Sequence, residues 1–227
     1  MTAAHPLDNV IWSALTTVHA ELARGGALAR RYQPDFARFA GMRVVGPAGF
    51  DALADDLVRD EFVALSLQDE VDPGPAFEVL DRKVLVQMVG AVGGEPGEPA
   101  GLRALGPADV AAMTALVQAT APGPWFARTA ELGRFVGIEV DGRLVAMAGE
   151  RMRVPGHTEI SAVCCHADFR GRGWPTELMR RVSRSIVARG ETPFLRVLGE
   201  NAPAIALYEK LGLRERLRSH LLILRRA

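Results

Sequence analysis

Val163-Cys164-Cys165-His166-Ala167-Asp168-Phe169-Arg170-Gly171-Arg172-Gly173-Trp174-Pro175-Thr176 joins an extended run, residues 157–166, to an amphipathic segment. In that segment Leu178, Val182 and Ile186 recur at four-residue spacing beside Met179 and Val187, the period of a helix with one apolar face. A strand, a glycine-rich turn and a helix start together form an anion site. The first helical turn leaves backbone N–H groups unpaired, its dipole adds positive potential, and glycines admit a phosphate close to the chain. The ATP-type P-loop is excluded, because no Gly-Lys-Ser/Thr follows at the required spacing. The dinucleotide fingerprint is excluded too, because Thr176 stands where its third glycine belongs and the preceding strand is part of a meander. Taken alone, the loop reads either as a tight turn or as a phosphate cradle.

Upstream, Pro107 opens a helix carrying Val110, Met113, Leu116 and Val117, which ends at residues 122–124. Residues 134–140 and 143–153 are extended, and Asp141-Gly142 between them suits the positive φ angles of a hairpin turn. Pro155 and Gly156 turn the chain into the third strand of the meander. Downstream, residues 193–198 form a short apolar strand. Asn201-Ala202-Pro203 then starts a helix with a capping side chain and a proline in its first turn, and Gly212 stops it.

Two segments at this separation and in this order, residues 163–173 and Asn201-Ala202-Pro203-Ala204-Ile205-Ala206-Leu207-Tyr208-Glu209-Lys210-Leu211-Gly212, resemble the GCN5-related N-acetyltransferase (GNAT) superfamily, particularly its FR47-like branch. The resemblance covers roughly residues 101–227. It implies an α/β (α+β) fold with a mixed, mostly antiparallel twisted sheet flanked by helices, opening between the strand that ends near Cys165 and the strand around Leu195. Acetyl-CoA, as co-substrate, would lie in that opening. The backbone of Val163, Cys164 and Cys165 would pair with the pantetheine arm, and amides from Arg170, Gly171, Arg172, Gly173, Trp174, Pro175 and Thr176 would hold the pyrophosphate. Asn201 would contact the thiol end. The sequence departs from the family pattern at Pro175, which lacks an N–H and so removes one phosphate donor.

Acyl transfer from a thioester to an amine needs a neutral nucleophile, a stabilised oxyanion and a proton for the leaving thiolate. The resemblance places the Tyr208 hydroxyl near the sulfur as general acid, against the common alternative of a packed tyrosine. Glu159 is the candidate base, because strand alternation puts it on the face of Ser161, Val163 and Cys165. Glu150 and Glu139 are its rivals. His166, entering the turn, reads as turn-stabilising. Cys164 and Cys165 have no basic partner and read as packing residues rather than nucleophiles. Trp125, Phe126 and Arg128 line an acceptor pocket or form an apolar lid.

The remaining sequence sets the frame. Among 227 residues, Lys+Arg and Asp+Glu both number 27, so the chain lacks the overall charge of a nucleic-acid binder. Five histidines without paired spacing and two adjacent cysteines offer no metal motif. With neither a leader-like N-terminus nor an apolar run of membrane-spanning length, a cytoplasmic protein without membrane partners is expected. Residues 12–23 and 50–57 read as helices, and 42–45, 62–67 and 84–89 as strands. The Gly- and Pro-rich residues 90–101 read as a linker. The expected division is therefore an N-terminal α/β domain, 1–95, either substrate-shaping or a diverged copy of the same fold, and an acetyltransferase domain, 96–227. The expected reaction is transfer of acetyl from acetyl-CoA to a small-molecule or peptide amine. The alternative is a non-catalytic acyl-CoA-binding or regulatory module.

Overall fold

The computed structural model describes residues 5–227. In chain order the elements are α1 (Val10–Thr16), β1 (Ala23–Gly25), β2 (Ala29–Tyr32), β3 (Ala40–Met42), α2 (Pro47–Asp56), β4 (Phe62–Leu67) and β5 (Phe77–Val89). Then follow β6 (Leu102–Leu105), α3 (Val110–Thr120), β7 (Phe135–Val140), β8 (Arg143–Val154), β9 (His157–Cys165), α4 (Trp174–Val187), β10 (Thr192–Leu198), α5 (Ala202–Lys210) and β11 (Arg214–Arg226). Strands β1 to β3 make a small sheet, and the rest form one sheet ordered β4-β11-β5-β10-β9-β8-β7-β6. Among the described residues β9 and β10 are its one parallel pair, so the sheet is mixed and mostly antiparallel, as expected.

Local chemistry accounts for the meander. Asp141 and Gly142 take φ of 50° and 74°, the left-handed pair that a two-residue hairpin demands, and Gly156 at 74° makes the next turn. The segment α4 buries Leu178, Met179, Val182 and Ile186 against Val86, Val145, Ala146 and Leu195 of the sheet. On the opposite face, α3 packs Met113, Leu116 and Val117 onto Phe135, Met147 and Cys164, while α1 packs Val10, Ile11 and Leu15 near Met152 and Phe194.

The N-terminal half departs from the sequence expectation in three places. The helix expected over 12–23 stops at Thr16, where the Thr16 and Thr17 hydroxyls donate back to the carbonyls of Trp12 and Ser13 at 2.7 and 2.5 Å. His19 then turns inward to meet the Tyr32 hydroxyl at 2.8 Å, leaving Val18 exposed. The strand expected at 42–45 lies at Ala40–Met42, and the one expected at 84–89 begins at Phe77. Strand β5 inserts between β10 and β11, so residues before and after the glycine-rich segment share one sheet.

That segment is docked rather than free. The Gly97 amide donates to Glu177, Arg180 donates to the Gly93 carbonyl at 2.9 Å, Glu95 pairs with Arg184, and the Val92 amide donates to the Ser183 hydroxyl at 2.9 Å. Helix α4 is thereby gripped along its length. Replacing Ile186, which is fully buried, by alanine is expected to lower unfolding stability by about 2–5 kcal/mol. Val187→Ala on the exposed face should stay within about 0.5 kcal/mol in the same urea titration.

Candidate active site

The parallel ladder between β9 and β10 is three rungs long: His157 with Thr192, Thr158 with Pro193, Glu159 with Phe194. Beyond it the strands part. Leu195 to Leu198 stay paired with β5, and Cys164 and Cys165 with β8, so their facing edges carry no ladder. The parting coincides with a bulge in β9, where the register against β8 slips and Ala162 takes φ of 52°. A cavity of about 560 Å³ occupies the gap, lined among others by Ser161, Val163, Val197, Asn201 and Tyr208.

The bulge also reverses strand alternation. Ile160, Val163 and Cys165 face the α4 core, whereas Ala162 and Cys164 face α3. The expectation that Glu159, Ser161, Val163 and Cys165 share a face therefore fails, because one extra residue shifts the period. Glu159 is fully buried, with oxygens 3.1 and 3.2 Å from Arg151 and 2.9 Å from Arg196. Burial alone would push its carboxyl up, but the charges and hydrogen bonds of the two guanidiniums outweigh that and hold it down to about 2. Such an anion takes up a proton only far below neutral pH, a poor property for the base expected there. Glu150 pairs with Arg189 at 2.8 Å and Glu139 with Arg103, and neither lines this cavity.

Tyr208, on α5, lines the cavity. Burial raises its pKa, so the phenol stays protonated at neutral pH. Asn201 caps α5 as expected, its Oδ1 accepting from the Ala204 amide at 3.2 Å. Its position at the cavity rim follows from the short connection after β10.

From Cys165 the chain enters the glycine turn. Gly171 and Gly173 take φ of 79° and 75°, and nothing lies within 4 Å of where a Cβ would project. Gly173 caps α4 without a side-chain hydrogen bond. The amides of Gly171, Arg172, Gly173, Trp174 and Thr176 have no acceptor among the described residues, and Pro175 at the second helical position has no N–H to offer. Arg172 lies 5.2 and 5.1 Å over the rings of Phe169 and Trp174, which stack on each other, and this keeps a positive charge beside those amides.

Other expectations resolve in detail. The His166 ring accepts from the Asp168 amide and lies edge-on to Phe169, a turn-stabilising role. Burial pushes the Cys164 thiol up to about 11 and raises that of Cys165, so both are protonated packing groups. Trp125 lines the cavity, its indole N–H donating to Thr114. Phe126 and Arg128 turn instead to the N-terminal half, against Arg38 and Phe36. Sequence reading missed Arg151 and Arg196, both lining the cavity. Neither belongs to a motif, and their common partner Glu159 was the one available signal.

The FR47-like protein family model matches residues 135–222. A structure from Novosphingobium aromaticivorans, assigned to the GNAT family as an acetyltransferase, is 40% identical over 99% of this chain and 100% of its own, with a TM-score of 0.90. A GCN5-related N-acetyltransferase from Kribbella flavida is similar in fold at 20% identity, with 96% of each chain covered and a TM-score of 0.63. A GCN5-related N-acetyltransferase-like protein from Streptococcus suis, 14% identical over 95% of this chain and 92% of its own, aligns at 0.57. No curated protein matches the chain. The splayed parallel pair, the family match and the full-length likeness at 40% identity agree: the chain belongs to the FR47-like branch of the GCN5-related N-acetyltransferase superfamily, whose fold serves acyl transfer from acyl-CoA.

Proposed function

We propose that this chain transfers an acetyl group from acetyl-CoA directly to an amine, without an acyl-enzyme. One observation carries the reading: the unpaired inner edge of β9 leads from a cavity holding Tyr208 straight into a turn whose amides have no acceptor. The residues present fit the coenzyme. Amides of Gly171, Arg172, Gly173, Trp174 and Thr176, with the guanidiniums of Arg170 and Arg172, would hold the diphosphate, each charged hydrogen bond contributing about 1.5–3 kcal/mol. Pro175 contributes ring packing and a preset helix start rather than a donor. The free backbone edge of Val163, Cys164 and Cys165 would hydrogen-bond the pantetheine arm as another strand would, and Asn201 lies at the thiol end. The thioester supplies an activated acyl carbon; the protein orients it, excludes water and delivers a proton from Tyr208 to the departing sulfur.

Among the described residues no carboxylate or histidine lines the cavity, so the amine arrives already neutral, its proton lost to solvent. This also sets the rival reading, a non-catalytic acyl-CoA-binding module, which Pro175 and the absence of a cavity base favour. Release of thiol in the presence of amines separates the two. Residues 1–95 would act as the acceptor-shaping domain, since Phe39, Ala64, Lys83 and Leu85 join residues of 96–227 around the cavity. A cytoplasmic location belongs to the same proposal: both cysteines are unpaired thiols, which suits a reducing compartment.

Gly173→Glu is expected to weaken acetyl-CoA binding at least about 100-fold in calorimetry, because a carboxylate would sit where the diphosphate is held. Unchanged affinity would remove the turn from the site. Tyr208→Phe should lower kcat by roughly 100-fold while the dissociation constant for acetyl-CoA stays within about twofold. Without an internal base, kcat/KM should climb tenfold per pH unit until the acceptor amine's own pKa is reached. A break near pH 6 or 7 would instead reveal a titrating protein group.

A further inference from the structure

We infer that the acceptor is a small amine bearing a carboxylate, and that Arg151 and Arg196 bind that carboxylate; this names the substrate class of the proposed acyltransferase and rests on that reading. Both arginines line the cavity that also contains Tyr208 and Asn201. Their side chains are only 14% and 4% exposed, so their charges are largely removed from water. Glu159 engages Arg151 through Nε and Nη2 and Arg196 through Nε. Nη1 of Arg151 and Nη1 of Arg196 have no hydrogen-bond partner among the described residues and keep accessible surface, whereas Nη2 of Arg196, also unpartnered, is closed to solvent.

The charge balance points the same way. Two guanidiniums against one carboxylate leave one net positive charge. Lys83, the other cation on the cavity wall, is already paired with Asp81 at 3.3 Å. Phe39 lies 5.1 and 5.2 Å from the two guanidinium centres, which restrains their planes and leaves the fork geometry preformed. A buried guanidinium with unmet donors is costly, and a planar carboxylate is the group that satisfies two N–H donors at once. The same positive field disfavours an ammonium and so raises the neutral fraction of the amine beside it. A site built around such donors rejects an analogue that lacks the acceptor far more strongly than an apolar pocket rejects a missing methylene.

The test uses the full chain and two readouts. Thiol release is measured with glycine, leucine and phenylalanine, with their methyl esters, and with the matching decarboxylated amines, each rate being expressed per unit of neutral amine because the three classes differ in ammonium acidity. Calorimetry then follows binding of the corresponding N-acetyl amino acids and N-acetyl methyl esters, with and without coenzyme A. The carboxylate forms are expected to be preferred by about 10- to 100-fold, the range of one charge-assisted hydrogen bond. Arg151→Gln should reduce that preference to within about threefold. Arg196→Met leaves Glu159 with Arg151 alone, and Glu159→Gln leaves two buried guanidiniums without their anion, so thermal melts first establish that each variant is folded, and Arg151→Gln, at the more exposed of the two arginines, carries the result. Glu159→Gln raises the local charge by one and should tighten carboxylate binding while leaving the esters unchanged, a response that a purely structural ion pair would not give. Esters or decarboxylated amines that match the carboxylates overturn the inference, as does failure of every carboxylate to bind in either state. Carboxylate binding that depends on Arg151 without acetyl transfer to any amine removes the acyltransferase reading and leaves the carboxylate site standing. Transfer that ignores the carboxylate removes this inference alone.

Discussion

The last rung of the parallel ladder, Glu159 beside Phe194, is where the sheet stops being a sheet. Up to that point β9 and β10 exchange backbone hydrogen bonds. Past it each is committed to a different neighbour, β8 on one side and β5 on the other. The Glu159 carboxylate reaches across the junction to Arg196 on β10 and Arg151 on β8, tying three strands at the point where they diverge. A buried ion pair of this kind gains little net stability over an apolar cluster, yet losing one partner costs about 3–5 kcal/mol because a charge is left unmatched. The cluster therefore fixes where the cleft begins more than it stabilises the fold.

The candidate site is built on that divergence. Unpaired backbone is tolerated inside a protein only where something else satisfies it, and here the unpaired edge borders a cavity and continues into a turn of acceptorless amides. The two glycines of the turn hold left-handed backbone with open space at the Cβ position, so their value is the close approach they allow. Arg172, stacked on Phe169 and Trp174, adds charge without lengthening the loop.

The N-terminal half is structural to this arrangement. Strand β5 supplies the partner that draws β10 away from β9, and the glycine-rich segment returns along α4 through Gly93, Glu95 and Gly97. A segment with the composition of a flexible tether is thereby held by the arginines of the helix it crosses. Phe39, from the same half, lies against both cleft arginines and joins them on the cavity wall.

Features governed by neighbours along the chain could be read directly from the residues. The Asp141-Gly142 hairpin, the Asn201 cap, the glycine turn and the apolar stripe of α4 each express the conformational limits of a few adjacent residues, and all lie where they were expected. The shortened α1, the insertion of β5 and the Arg151–Glu159–Arg196 cluster could not be read that way. Each depends on groups that meet through the packing of distant segments: His19 with Tyr32, β5 with β10 and β11, and three side chains from three strands. The face of Glu159 departs from simple alternation for the same reason. Alternation holds only while every residue has a partner opposite, and the bulge at Ala162 is a property of two strands together.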